Sequence, residues 1–298
     1  MCGIAGLFIR EKSLEPRLGV LLQGMTATLG GRGPDSAGFA VYSDGVAGRT
    51  KLTLQSKTGF PFDELARKFN AIIDDTLEVR RRHTHATFLV PSADVAKLRE
   101  WIGRYAPDVN IVSEGQRLEI FKDVGYPDDV AHSFGLSEMA GTHGIAHTRM
   151  ATESAVTTDG AHPFSTGADQ CLVHNGSLSN HASLRRQLRN DGVLIQTEND
   201  SEVGAAYLTR EMRSGKSLGD ALKSSLEELD GFFTFVVGTE SGFGVLRDPI
   251  ACKPAVMAET DEYVAFASEY KSLTCLPGIE RARVWEPKPA TVYFWERS

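Results

Sequence analysis

Short apolar runs alternate with amphipathic stretches along most of the chain. An almost unbroken apolar run over residues 3–10 predicts a first strand near the start of the sequence. Apolar residues at helical spacing over residues 16–29 predict a helix, with Pro16 near its start and Gly30 after its end. A glycine-rich turn follows over residues 31–38. We therefore expect a strand, a helix and a turn at the N-terminus.

The next elements also follow from the pattern. Apolar and β-branched runs over residues 39–42 and 46–54, separated by Asp44-Gly45, predict a β-hairpin. A helical pattern covers residues 62–73. These elements precede a stretch with a pattern of its own.

The stretch from Leu77 to Asp129 follows a βαββ pattern. A strand over residues 87–90 leads to Ser92, which can cap a helix over residues 93–105. Two short strands around Gly115 predict a second hairpin. We interpret residues 77–129 as a small inserted subdomain that lies outside any active site as a compact lobe, and we expect the run from Arg80 to Arg82 to be largely exposed.

The second half of the chain returns to buried strands and amphipathic helices. We predict strands over residues 142–150 and 170–174, helices over 180–190, 201–213 and 217–229, and further strands over 232–239, 243–248, 255–259, 263–268 and 291–295. Strands at both ends with helices between them predict an α+β fold in which packed sheets are covered by helices.

Composition narrows the class of protein. Of the 298 residues, 41% are hydrophobic, which is enough for a sizeable core. The net charge of −7 argues against nucleic-acid binding, which depends on Lys and Arg. No apolar run approaches the roughly 20 residues of a membrane span, and the N-terminus lacks the basic region of a secretory signal. We therefore expect a cytoplasmic protein.

The four cysteines are far apart and form no CxxC pair. We therefore expect no metal and no cofactor on this chain. Cys2 is distinctive because removal of Met1 would leave a thiol and a free α-amine on one residue. An α-amine titrates near ~7.7–8.0 and a thiol near ~8.5, so the amine can act as base for its own side chain. Cys at position 2 is common, so this feature alone is not specific.

Later motifs supply the other groups that amide hydrolysis needs. Asn175 and Gly176 offer a side-chain amide and a backbone N–H for a developing oxyanion. Arg149 offers a planar fork for a carboxylate, and Asp200 offers a charge for an ammonium. Taken alone, Arg149 also fits a structural ion pair and Asp200 a helix cap.

Together these motifs have a specific order. Residues 1–6, 32–38, 147–149, 174–176 and 200–202 resemble the class II glutamine amidotransferases. Residues 247–249, 253–254 and 267–269 are similar to later motifs of amidophosphoribosyltransferase and asparagine synthetase members, and residues 161–164 to glutamate synthase and amidophosphoribosyltransferase members. The resemblance implies an N-terminal nucleophile hydrolase fold, a four-layer αββα sandwich, over residues 2–298 with 77–129 inserted.

The resemblance also implies a role for each matching residue. Cys2 would be the nucleophile and, through its amine, the base. Asn175 and Gly176 would form the oxyanion hole. Arg149 would bind the carboxylate of glutamine, and Asp200 would bind its ammonium.

Other positions match less completely. Thr152 matches a threonine beside the bound glutamine in glucosamine-phosphate synthases. Arg32 would support the loop near the nucleophile without touching the substrate. Met150 and Glu153 depart from the synthase pattern, which has Trp and His there, so its channel gating is not carried over.

No acceptor domain is evident after these motifs, so we expect a separate glutaminase subunit. With its insertion, the chain resembles the amidotransferase subunits of glutamate synthase relatives, including N-methylglutamate synthase. This implies hydrolysis of L-glutamine to L-glutamate and ammonia through a Cys2 thioester, in glutamate biosynthesis. The ammonia would pass to a synthase partner that carries the flavin and iron–sulfur cluster.

Two alternatives remain open. The first is a free-standing N-terminal-nucleophile amidase, such as a penicillin or bile-salt acylase, although those enzymes lack the Arg149 and Asp200 pair for a free amino acid. The second is a regulatory subunit that senses glutamine without hydrolysing it. Retention of every chemically required residue argues against the second.

Overall fold

The computed structural model describes residues 2–151 and 155–297. Its strands are β1 Gly3–Ile9, β2 Ser36–Tyr42, β3 Arg49–Gln55, β4 Glu78–Arg82, β5 His85–Pro91, β6 Asn110–Gly115, β7 Leu118–Val124, β8 His143–Arg149, β9 Phe164–Gly167, β10 Gln170–Leu178, β11 Gly231–Gly238, β12 Gly242–Arg247, β13 Val256–Glu259, β14 Tyr263–Ala267, β15 Arg283–Trp285 and β16 Thr291–Glu296. Its helices are α1 Leu18–Ala27, α2 Phe62–Ile73, α3 Val95–Tyr105, α4 Pro127–Phe134, α5 His181–Asn190, α6 Asp200–Arg213 and α7 Leu218–Glu228.

Two antiparallel sheets pack face to face. One has the strand order β15-β13-β14-β1-β8-β2-β7, and the other has the order β16-β12-β11-β10-β9. Ile4 and Phe8 of β1 point into the core between the sheets, whereas Ala5, Leu7 and Ile9 belong to the core on the other face of the same strand. Because both faces of β1 are buried, its sequence is apolar throughout rather than alternating.

Helices cover the outer face of each sheet. The apolar sides of α1 and α4 pack on the sheet that contains β1, and those of α5, α6 and α7 pack on the sheet that contains β10. The order of layers is therefore helix, sheet, sheet, helix. The predicted α+β fold with an αββα sandwich is confirmed, and we call these four layers the body.

A third sheet, in the order β4-β5-β3-β6, forms a separate lobe with α2 and α3 over residues 49–115. The lobe thus starts earlier than the predicted 77–129 segment, because β3 and α2 belong to it. It also ends earlier, because β7 pairs with β2 in the body.

Both predicted hairpins are wrong for the same reason. The strands around Gly115 lie in different sheets, since β6 pairs with β3 while β7 pairs with β2. The two strands flanking Asp44-Gly45, β2 and β3, are likewise in different sheets. Between β6 and β7, where the chain passes from one sheet to the other, the Asp169 carboxylate accepts hydrogen bonds from three consecutive backbone N–H groups, those of residues 116–118. Such long-range contacts determine which strands pair.

The arginine run lies on β4, an edge strand of the lobe. The side chains of Arg80 and Arg81 are 58% and 59% exposed, as expected. Arg82 is less exposed than expected, because it donates a hydrogen bond to the carbonyl of Phe134 in α4. No helix in the two described ranges is long and apolar enough to cross a membrane.

Candidate active site

A pocket of about 810 Å³ opens at the end of the body where β1 begins and β8 ends. Among the predicted site residues, Cys2, Arg149, Gly176 and Asp200 line this pocket. Thr152 lies outside the described residues. No residue of the predicted 77–129 segment is among the described lining residues.

Cys2 is half-buried at the start of β1, and its Sγ lies 3.8 Å from the carbonyl oxygen of Met150. Two side chains hold its backbone. Arg32 Nε donates to the Cys2 carbonyl at 3.2 Å, and Asn175 Nδ2 donates to the same oxygen at 3.3 Å. Arg32 also pairs with Glu269 at 2.5 Å. The predicted nucleophile is therefore fixed from behind while its thiol faces the pocket.

His147, for which the sequence motifs predict no role, orients the amide of Asn175. Its Nε2 lies 3.2 Å from Asn175 Oδ1. Burial lowers the pKa of His147 to about 3, so the ring is neutral. An amide oxygen only accepts, so Nε2 carries the proton and the Asn175 NH₂ group is turned towards Cys2 and Ser268. His147 also stacks on His162, with ring centroids 4.0 Å apart.

Gly176 occupies a position that requires glycine. Its φ of +142° is unfavourable for other residues, and a Cβ there would lie 1.9 Å from the carbonyl oxygen of Phe232. The glycine therefore lets the backbone of β10 approach β11 closely beside the pocket.

The turn over residues 31–38 fixes the end of β8. The Asp35 backbone N–H donates to the Arg149 carbonyl at 3.0 Å, and its carboxylate accepts from the Ala151 N–H at 2.8 Å. Gly33 packs so closely that a Cβ would lie 2.4 Å from the carbonyl carbon of Thr148. These contacts place Arg149, a mostly buried side chain, at the edge of the pocket.

Asp200 is the first residue of α6, and Asn199 precedes it as the cap. The side chain of Asn199 accepts from the Ser201 N–H at 2.9 Å, so the cap is Asn199 and not Asp200. The Asp200 carboxylate instead accepts from the Leu178 N–H at 2.9 Å and reaches the pocket. A negative charge at a helix N-terminus is favourable.

His174 lies between Asp200 and the core. Burial lowers its pKa to about 4, although the nearby Asp200 charge acts in the opposite direction. Its Nδ1 is 2.9 Å from the Ser201 hydroxyl and 3.8 Å from Asp200 Oδ1. The pocket therefore combines a thiol, a cationic arginine and an anionic aspartate with neutral histidines behind them.

Comparisons with known proteins show the family to which the chain belongs. The family model described as a glutamine amidotransferase domain matches residues 147–275. The glutamine amidotransferase-like protein GlxB of Rhizobium meliloti is 58% identical over 297 residues, covering 99% of this chain and 98% of that protein. A putative glutamine amidotransferase of Methanothermobacter thermautotrophicus is 31% identical over 313 residues, covering 98% and 99% of the two chains.

The fold is also shared with a solved structure. Glutamine phosphoribosylpyrophosphate amidotransferase from B. subtilis, complexed with ADP and GMP, superposes with a TM-score of 0.61 at 21% identity. The match covers 99% of this chain and 47% of that one, so the chain spans about half of that enzyme. The sequence identity to full-length relatives and this shared fold lead to one conclusion: the chain belongs to the class II glutamine amidotransferases, which share the N-terminal nucleophile hydrolase fold.

Proposed function

We propose that this chain is a glutaminase subunit that hydrolyses L-glutamine to L-glutamate and ammonia through a Cys2 thioester, and that it passes the ammonia to a partner synthase. The observation that carries the proposal is the shared pocket of Cys2, Arg149 and Asp200. An arginine and an aspartate beside a thiol suit the carboxylate and ammonium of a free amino acid.

The first half of the reaction forms the thioester. The α-amine of Cys2, freed by removal of Met1, takes the thiol proton, and the sulfur bonds to the side-chain carbonyl carbon of glutamine. The carbonyl electron pair moves onto oxygen, where Asn175 Nδ2 and the Gly176 N–H donate to it. Asn175 Nδ2 now donates to the Cys2 carbonyl and the Ser268 hydroxyl, each at 3.3 Å. These hydrogen bonds are long, so an oxyanion can compete for one of the two N–H groups.

The first half ends when this intermediate collapses: the carbonyl re-forms, the C–N bond breaks, the protonated Cys2 amine gives its proton to the leaving nitrogen, and ammonia departs to leave the thioester. In the second half, water attacks the thioester and the Cys2 amine takes a proton from it. The C–S bond then breaks, the sulfur regains a proton from the amine, and glutamate leaves. Arg149 and Asp200 hold the amino-acid end throughout, and we place Thr152 beside it.

The resemblance to glutamate synthase and N-methylglutamate synthase subunits supports a synthase partner that carries the flavin and iron–sulfur cluster. Ammonia near neutral pH is mostly ammonium, which is a poor nucleophile. A synthase therefore benefits from receiving ammonia directly, and such enzymes commonly complete the glutaminase site only with the partner present. We expect low glutaminase activity for this chain alone and a marked rise with the partner and its acceptor.

Glutamate release by the purified chain, with and without the partner, tests this proposal. Intact mass should show loss of Met1, and Cys2→Ala should abolish hydrolysis. Rapid hydrolysis that the partner leaves unchanged would favour a free-standing amidase, particularly if other amides are cleaved equally well. Glutamine binding without turnover under every condition would favour the sensing subunit.

Two substitutions test the proposed binding of the amino-acid end of glutamine by Arg149 and Asp200, which we call the amino-acid clamp. Arg149→Lys removes the two-pronged carboxylate contact, and Asp200→Asn removes the charge opposite the ammonium, so both should raise KM for glutamine strongly. Asp220→Asn is the matched control, because Asp220 lies in the first turn of α7 and outside the pocket. Equal KM values in all three variants would refute the clamp.

A further inference from the structure

One wall of the pocket is formed by the loop of residues 155–163, which leads into β9. Ala155, Thr157, Asp159, Gly160 and His162 of this loop line the pocket. We call it the pocket loop. Its position decides how much room glutamine has beside Arg149.

Lys122 of β7 holds the pocket loop from behind. Its buried Nζ donates to the carbonyl oxygens of Ala161 at 2.8 Å, Asp159 at 3.2 Å and Pro163 at 3.4 Å. These three acceptors match the three N–H donors of an ammonium. Nζ also lies 4.6 Å from the centre of the Phe164 ring. A single side chain therefore bonds to both ends of a five-residue stretch.

The position of Lys122 is energetically unusual. Among the described residues, no carboxylate oxygen lies within 4.0 Å of its Nζ. Burial lowers its pKa to about 8, which leaves it mostly charged at neutral pH. A buried charge is costly, and both the nearby Asp159 and Glu202 carboxylates and the hydrogen bonds to the loop favour the charged form of Lys122.

Two more contacts tie the pocket loop to the lobe. The Asp123 carboxylate accepts from the Thr158 hydroxyl at 2.8 Å with one oxygen and from the Thr84 hydroxyl of the lobe at 2.9 Å with the other. Asn110, in β6 of the lobe, donates to the Asp159 carboxylate at 3.0 Å. The lobe thus reaches the pocket wall without lining the pocket.

The other side of the pocket loop faces the amino-acid clamp. Asn199, which caps α6 next to Asp200, donates to the Gly160 carbonyl at 3.4 Å. A Cβ at Gly160 would lie 3.2 Å from Arg149 Nη1. Displacement of the loop would therefore alter the surroundings of both clamp residues.

We propose that Lys122, assisted by Asp123 and Asn110, is a positioning residue for glutamine binding. It holds the pocket loop against Arg149 and α6, and the lobe supports this wall through Asn110 and Thr84. The proposal rests on the assignment of the pocket as the glutamine site.

Lys122→Met tests it, because methionine keeps the length of the side chain and removes all three donors. KM for glutamine should rise roughly tenfold with little change in kcat, as expected when hydrogen bonds to a charged group are lost. Lys122→Arg keeps N–H donors and should recover part of the affinity. The glutamine analogue 6-diazo-5-oxo-L-norleucine gives a second readout, since the concentration that half-saturates alkylation of Cys2 should rise in parallel.

Lys51→Met is the matched control. Lys51 is also buried, but it pairs with Glu119 between lobe and body and does not contact the pocket loop. Asn110→Ala provides a milder variant if Lys122→Met fails to fold, and it should raise KM by a smaller factor. A folded Lys122→Met with unchanged KM and labelling would overturn the proposal.

Other outcomes separate a positioning role from a structural one. Equal rises in KM for Lys51→Met and Lys122→Met, without recovery in Lys122→Arg, would show a general packing effect and overturn the proposal. If wild-type protein neither hydrolyses glutamine nor is labelled at Cys2, even with the partner, the proposed function itself fails and the positioning role fails with it.

Discussion

The lobe and the body both bury polar side chains, but in different arrangements. In the lobe, β3 and β5 turn Leu52 and Phe88 towards the helices, and Thr53 and Thr87 lie paired on the opposite face of the sheet. In the body, both faces of the sheets are apolar over most of their area, and one group of buried polar residues lies at the pocket. This group includes three histidines, His147, His162 and His174.

The buried polar residues of the lobe can be explained by packing alone, whereas those at the pocket of the body cannot. Paired threonines on one sheet face satisfy each other at little cost. The stacked histidines His147 and His162 do not satisfy each other's ring nitrogens in this way. Burial lowers the pKa of His162 well below its usual value, so the ring is uncharged. Residues that break local packing rules are expected at functional sites. At this end of the body, the buried His147 contacts Asn175, which in turn donates to the Cys2 carbonyl.

The largest expected effect comes from the same substitution in each region. Phe88 of the lobe and Phe235 of the body are both fully buried, so Phe→Ala at either site should lower the free energy of unfolding by about 3–5 kcal/mol. Phe235 also contacts His174, with ring centroids 5.2 Å apart. Below the melting temperature, only Phe235→Ala should reduce kcat. Chemical denaturation and glutaminase assays measure the two effects, and a similar loss of kcat in Phe88→Ala would erase the contrast.

The next effect tests the chemistry of the body alone. Asn175→Ala should lower kcat by roughly 10²–10³ if Asn175 acts as an oxyanion donor. Its stability should fall much less than that of the phenylalanine variants. A change confined to KM would show that Asn175 only shapes the binding site.

The sequence predicted the body better than the lobe. Burial on both faces gives long apolar runs such as β1, and these reveal strands whatever their partners. Such runs do not show which strands pair. The sequence of β6 and β7 is typical of a hairpin, but the two strands belong to different sheets. Asp169, about 50 residues further along the chain, stabilises the segment between them. The predicted site residues came from ordered motifs, and four of the described ones do share a pocket.

Two residues whose roles could not be predicted from the sequence, His147 and Lys122, act by holding neighbouring residues in place. His147 stands in a recognised motif, but its contact with Asn175 depends on two strands in different sheets. Lys122 lies in the segment that we expected to be remote from the active site, and its acceptors are backbone carbonyls that carry no sequence signature. Long-range contacts of this kind need the folded chain.

Acid stability compares the two regions through their buried histidines. Burial lowers the pKa of His85 in the lobe, and of His143 and His147 in the body, to about 3. The folded pKa lies below the unfolded value near 6.5, so protonation favours unfolding, and stability present above pH 6.5 is lost as the pH falls. Each histidine should contribute a loss of about 1.4 kcal/mol per pH unit below 6.5.

His85→Asn sharpens this comparison. The substitution should reduce the difference in unfolding free energy between pH 6.5 and pH 5 by about 2 kcal/mol, the share of one histidine. Urea denaturation at the two pH values measures the difference. An unchanged pH dependence would mean that His85 is accessible to protons in the folded lobe.

The smallest effect is expected on the exposed edge of the lobe. Arg80 and Arg81 form ion pairs with Glu78 and Asp63, and the side chains of all four residues are more than half exposed. Exposed pairs of this kind typically contribute about 0.2–1 kcal/mol or less, because water and salt screen them and the side chains lose freedom. Arg80→Ala and Arg81→Ala should therefore leave the free energy of unfolding nearly unchanged. Glutaminase activity of the isolated chain should also be unchanged, since neither arginine contacts the pocket loop.

Arg82→Ala is the informative contrast, because Arg82 donates to the Phe134 carbonyl in α4 and so links the lobe to the body. Its removal should cost more stability than either neighbour, and equal losses in all three variants would show that this link adds nothing to the exposed edge.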